Sequence, residues 1–185
     1  MHKFRLLLLA ASVTLAVFSQ DAGRNTVMIG AGGGFPSGGY RTDGISNGAA
    51  FSASYEFRVL KYLAPEIVVV NTIPNVTYGS KYGSYIMRER VTLLSIGVHG
   101  IVTLRQGSIE LFAGVGAAHL WSSDIELTVL GYQSPRWLLQ VNGGGRVAID
   151  RRRRFWIGPT VRFSRDGGRP TEEWVSLTGD FGFRF

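Results

Sequence analysis

Few residues in this chain could do chemistry of their own. It holds three histidines, His2, His99 and His119, and no cysteine. Without cysteine there is no disulfide, thiolate metal site, cysteine nucleophile or lipid-bearing cysteine anchor. Three histidines, one of them at position 2, leave little for a metal cluster. A catalytic histidine–serine pair would need the base within reach of the hydroxyl and a carboxylate to orient it. Ser95, Ser122 and Ser123 neighbour His99 and His119 in sequence only, with no His-x-Ser arrangement and no evident orienting carboxylate. The expectation is therefore no enzyme, with no catalytic, cofactor-binding or metal-binding residue and no cofactor. His99 is expected in an interior and His119 near an interface. The glycine runs Gly32–Gly34 and Gly143–Gly145 lack the strand-to-helix context of nucleotide loops and read as close-packed strand residues.

What remains is a set of charges: Glu56, Arg58, Glu110, Arg146, Arg162, Asp180 and Arg184. Each lies on the polar face of a segment whose other face is apolar. Strands must position them, because side chains of a strand alternate between faces. The last stretch shows it best. Val175, Leu177, Gly179, Phe181, Phe183 and Phe185 fall on one face, and Ser176, Thr178, Asp180, Gly182 and Arg184 on the other. The same period runs through Asn25–Phe35, Asn47–Val59, Tyr85–Leu104, Ile109–Trp121, Pro135–Asp150 and Phe155–Arg165. Tyr62–Ile73 is more uniformly apolar, and its facing is ambiguous. The connections alternate: long at Pro36–Ser46, Pro74–Ser84, Ser122–Ser134 and Asp166–Thr171, short near Leu60–Lys61, at Arg105–Ser108 and at Arg151–Arg154.

At 185 residues, with 25 glycines outside any collagen period, the chain reads as one domain rich in strands and turns. Residues 1–19 are read as a signal peptide. His2, Lys3 and Arg5 precede the apolar run Leu6–Phe18, which is shorter than the ~20 residues a spanning helix needs. Val17 and Ser19 are small enough for a cleavage site. Residues 20–185 form the exported domain, which stays basic after Lys3 and Arg5 are removed. The run Arg151–Arg154 reads as a solvated turn, with contact to anionic lipid head groups as the alternative.

Three features then carry a resemblance. The terminal FGFRF (residues 181–185) looks like the C-terminal signal of bacterial outer-membrane β-barrels. Phe112–Ala118, FAGVGAA, looks like the small-and-aliphatic alternation of their strands. Aromatic residues gather in two groups. Phe35, Tyr40, Tyr78, Tyr82, Tyr85, Trp121, Tyr132, Trp137 and Trp174 lie near the long connections, and Phe57, Tyr62, Phe155, Phe183 and Phe185 near the short ones. Two such girdles match two membrane interfaces. The chain thus resembles the small outer-membrane barrels of the OmpA-transmembrane-domain and OmpX-like kind. The resemblance implies an all-β fold, an eight-stranded antiparallel up-and-down transmembrane barrel, with both termini in the periplasm. These charges would pair across the lumen, and eight strands leave an interior that side chains fill, so no open pore is expected. Phe181, Phe183 and Phe185 would be the assembly signal. The implied partners are outer-membrane lipids, the barrel-assembly machinery and extracellular ligands of the loops, with no nucleic acid. The implied role is structural or surface-interactive. Two alternatives stay open: a soluble periplasmic ligand-binding barrel with its apolar face turned inward, and a lipid-A-modifying barrel enzyme.

Overall fold

The computed structural model describes residues 25–38, 45–80, 83–88, 90–122, 136–165 and 172–185. They form nine strands: β1 (Asn25–Gly38), β2 (Ile45–Phe57), β3 (Leu63–Ser80), β4 (Gly83–Arg88), β5 (Val91–Leu104), β6 (Ile109–Ser122), β7 (Arg136–Ala148), β8 (Phe155–Arg165) and β9 (Glu172–Arg184). Every pairing is antiparallel, in the order β2-β1-β9-β8-β7-β6-β5-β3-β4, and β2 also pairs with β3. That last pairing closes the sheet. β4 pairs only with β3, over Asn75–Ser80, while β5 pairs with β3 over Leu63–Thr72. Together β4 and β5 act as one stave, and the closed barrel has eight.

Closure joins the two ends of the chain. β1 and β9 pair from Thr26↔Arg184 to Gly38↔Glu172. Asn25 N donates to the Phe185 carbonyl at 3.1 Å, and Phe185 N donates to the Asn25 carbonyl at 2.9 Å. An open edge would leave such groups unpaired, which hydrocarbon does not tolerate. Both termini of the described chain lie at the end of the short turns.

The period-two pattern decides which face goes where. Ile29, Ile96, Val115, Leu139 and Ile157 are exposed on the outside, whereas Glu56, His99, Glu110, Arg146, Arg162 and Asp180 are buried inside. The ambiguous segment resolves by the same rule. Ala64, Glu66, Val68, Val70 and Thr72 turn inward, and Ile67 faces out.

Three expectations are corrected. The first long connection is shorter, because β1 runs on through Pro36 to Gly38 and β2 begins at Ile45. Pro74–Ser84 is not a loop: β3 continues to Ser80 and turns back into β4. Pro74 sits where the β2–β3 register shifts, between Ile45 and Gly48, a place where a strand tolerates a residue with no N–H to give. Trp174 is not part of the outer girdle. It lies at an even, inward position and is 2% exposed.

Candidate functional site

The lumen has two tiers, each built by inward positions of the strands around it. Toward the short turns the tier is charged. β7 projects Arg146 across the barrel to β2, where Nη1 and Nη2 donate to Glu56 Oε2 and Oε1 at 3.1 and 2.7 Å. Its Nε donates to Glu110 Oε2 at 2.7 Å. Glu110 also receives both terminal nitrogens of Arg184, at 3.0 and 2.8 Å, and Arg58 Nη2 at 3.0 Å. Bidentate guanidinium–carboxylate geometry of this kind offsets part of the desolvation that burying charge entails. Trp156 seals the mouth. It is fully buried, donates through Nε1 to the Arg153 carbonyl at 2.8 Å, and lies under the Arg184 guanidinium at 4.2 Å.

Midway, His99 stands between two carboxylates. Its Nδ1 is 3.4 Å from Glu56 Oε2, and its Nε2 is 3.0 Å from Glu66 Oε2, the latter a close contact rather than an aligned hydrogen bond. Glu66 in turn accepts from Asn142 Nδ2 and Arg162 Nη2, both at 3.3 Å. Asp180 accepts from Ser52 at 3.2 Å and Thr160 at 2.6 Å, and lies 4.0 Å from Arg162. Gly30 makes room for it, since a Cβ there would come within 1.8 Å of Asp180 Oδ1.

Toward the long connections the tier is apolar. Ile45, Val68, Val70, Val91, Leu93, Ala118, Leu120, Leu138 and Trp174 form one buried cluster.

All seven charges named from the sequence thus enter one cross-lumen system, joined by Glu66 and His99. Glu66 escaped the sequence reading, although a signal was present. It is the one charged residue of Tyr62–Ile73, and its parity marks the inward face of that strand. Most of the apolar tier left little signal, because Val68, Val70, Leu93, Leu120 and Leu138 lie in stretches where both faces are largely apolar.

Elsewhere, the outer surface carries the aromatic groups. Phe35, Trp121 and Trp137 face outward near the long connections, and Tyr62, Phe155, Phe183 and Phe185 near the turns. Tyr40, Tyr82 and Tyr132 lie outside the described residues. His119 sits on the outside against Trp121 and Trp137, with ring centroids 4.4 and 4.9 Å away. Among the described residues neither histidine hydrogen-bonds a serine hydroxyl. Phe181, Phe183 and Phe185 are all exposed outward, and Phe155 stacks beside Phe181. No group of three or more metal-ligating side chains forms a metal site among the described residues.

No known protein-family profile matches the chain, and no curated protein matches it by sequence. Solved structures do match. Ail, the attachment invasion locus protein of Yersinia pestis, crystallised with the heparin analogue sucrose octasulfate, superposes with a TM-score of 0.55 at 14% identity, covering 89% of this chain and 100% of Ail. The outer membrane protein OprG of Pseudomonas aeruginosa gives 0.56 at 12% identity, covering 90% and 98%. Neisserial surface protein A gives 0.55 at 14% identity, covering 90% and 100%. The chain therefore has the fold of the small eight-stranded outer-membrane β-barrels.

Proposed function

We propose that this chain is a bacterial outer-membrane β-barrel, exported by residues 1–19, that serves as a closed structural element and presents its long connections for surface interaction. The observation that carries this reading is the inverted distribution of its faces. Aliphatic side chains cover the outside, while guanidiniums and carboxylates meet inside. In water such a surface would expose far more contiguous apolar area than a soluble monomer carries. In a bilayer it needs no further cover. The same observation counts against the soluble ligand-binding alternative, which requires the apolar face within. We read the role as non-enzymatic, with one histidine held between carboxylates and the other among outward-facing tryptophans. The plugged lumen argues for a barrel that does not conduct. Phe181, Phe183 and Phe185 act as the assembly signal on this reading.

Cell fractionation tests it. The mature chain should enter the detergent-insoluble envelope fraction and migrate differently on gels before and after heating. Planar bilayers containing it should show no large, steady conductance. Recovery of folded, monodisperse protein from the periplasm without detergent would refute the membrane assignment.

A further inference from the structure

We propose that the turn-bearing end of the barrel binds the phosphate head groups of anionic lipid in the leaflet around it, through Lys61, Arg105, Arg151, Arg152, Arg153 and Arg154. This rests on the transmembrane reading above. All six side chains are exposed, and none has an ion-pair partner among the described residues. The turns that carry them are linked into one rim. Ile101 N donates to the Tyr62 carbonyl at 2.9 Å, and Ala148 N donates to the Ser108 carbonyl at 2.9 Å. Arg153 lies across the neighbouring turn, so close that a Cβ on Gly107 would come 2.5 Å from its Nη1.

This rim gathers like charge, six basic side chains against one acidic one. Asp150 is the one acidic side chain in these turns, and its carboxylate accepts the backbone N–H groups of Arg152 and Phe155, at 3.1 and 2.8 Å. The nearest lumen carboxylates, Glu56 and Glu110, already serve Arg58, Arg146 and Arg184. The backbone is unusual here as well. Arg105, Gln106 and Arg153 hold φ values of 46°, 54° and 55°, in the left-handed region that side chains rarely adopt. Tight hairpin turns require such values, and here they set where these side chains leave the backbone.

The height of the rim names the ligand. Tyr62, Phe155 and Phe185 face outward just beside these turns, as aromatic residues do at a membrane–water boundary. The guanidiniums therefore lie at head-group level, where a phosphodiester accepts paired N–H donors. Each basic side chain near an anionic bilayer surface is worth a factor of about five in association. Lipid in the surrounding leaflet is the occupant that every inserted copy meets at this height.

The experiment is lipid selectivity by electron spin resonance. The mature full chain is reconstituted in phosphatidylcholine bilayers, and spin-labelled phosphatidylglycerol is compared with spin-labelled phosphatidylcholine in the motionally restricted shell. The wild type should favour phosphatidylglycerol at least about fivefold, and molar salt should reduce that preference. The variant K61Q/R105Q/R151Q/R152Q/R153Q/R154Q should bring it close to one. Neutralising the exposed Arg88 and Arg165 near the opposite end should leave it unchanged. Equal retention of both lipids by the wild type, or a preference that salt does not weaken, would overturn the proposal; this arm needs no variant to fold. Selectivity kept by the sixfold variant, with folding checked by its heat-shifted gel band, would also overturn it. A spectrum with no restricted component at all would instead refute the transmembrane reading on which the proposal rests.

Discussion

Replacing Arg146 by leucine should be the most damaging single change in the lumen. The side chain is 2% exposed and supplies three hydrogen bonds to two carboxylates. It also packs between the rings of Phe112 and Trp156, at 5.4 and 5.8 Å. Removing one partner of a buried ion pair costs about 3–5 kcal/mol, because the other charge is left uncompensated. The two carboxylates are not equally exposed to that loss. Glu110 keeps Arg58 and both arms of Arg184. Among the described residues Glu56 keeps only His99 at 3.4 Å and Arg58 at 3.9 Å. The expected cost therefore sits at the lower end, about 3 kcal/mol, and is concentrated at Glu56. Two comparisons isolate it. Arg162→Leu breaks longer contacts, at 3.3, 3.5 and 4.0 Å, and should cost about 1–2 kcal/mol. Adding Glu56→Gln to Arg146→Leu should recover about 1–2 kcal/mol of the loss. The assay is urea unfolding of the refolded barrel in lipid vesicles, followed by tryptophan fluorescence. An Arg146→Leu barrel within about 0.5 kcal/mol of wild type, the usual range of surface substitutions, would refute the assignment of Glu56 and Glu110 to it. So would a larger loss from Arg162→Leu.

Other expected outcomes follow from the same geometry. Phe185→Ala should lower the amount inserted in cells while the purified chain still refolds in detergent, since the ring is 50% exposed and its burial is worth only roughly 1 kcal/mol; wild-type levels in cells would remove the terminal phenylalanine as a signal. Gly158→Ala should impair folding, because its Cβ would meet the Gly145 carbonyl oxygen at 1.9 Å, whereas Gly179→Ala, with the nearest atom at 4.0 Å, should leave the urea midpoint unchanged. Arg184→Leu should destabilise less than Arg146→Leu, because Glu110 retains Arg58 and Arg146, and the same unfolding assay ranks the two.

The faces of the strands were legible in the sequence, and the partners were not. Alternation such as Phe181, Phe183 and Phe185 against Asp180, Gly182 and Arg184 fixes parity, since the period of two comes from the backbone itself. It carries no information on which strand lies across the lumen. Arg146 meets Glu110 through direct strand pairing, but it meets Glu56 only because the closed, staggered barrel brings β7 opposite β2. Parity fails where both faces are apolar. Val68 and Val70 point inward beside the outward Ile67, and only Glu66 distinguishes the two sets. Proline, glycine and serine in Pro74–Ser84 mimic a loop. The structure extends β3 and β4 through them because each arm satisfies the other, from Asn75↔Arg88 to Ser80↔Gly83. Its place near the end of a strand suggests a girdle position for Trp174, yet its parity with Ser176 and Thr178 sends it inward.

The most direct test of the inverted barrel is a cysteine scan of β5, which the absence of native cysteine makes clean. Single cysteines at Ser95, Ile96, Gly97 and Val98 are each labelled with an environment-sensitive fluorophore in vesicles that contain lipid with quencher-bearing acyl chains. The account predicts blue-shifted, strongly quenched emission at Ile96 and Val98 and little quenching at Ser95 and Gly97. Quenching that does not alternate, or that is absent at Ile96 and Val98, would contradict it.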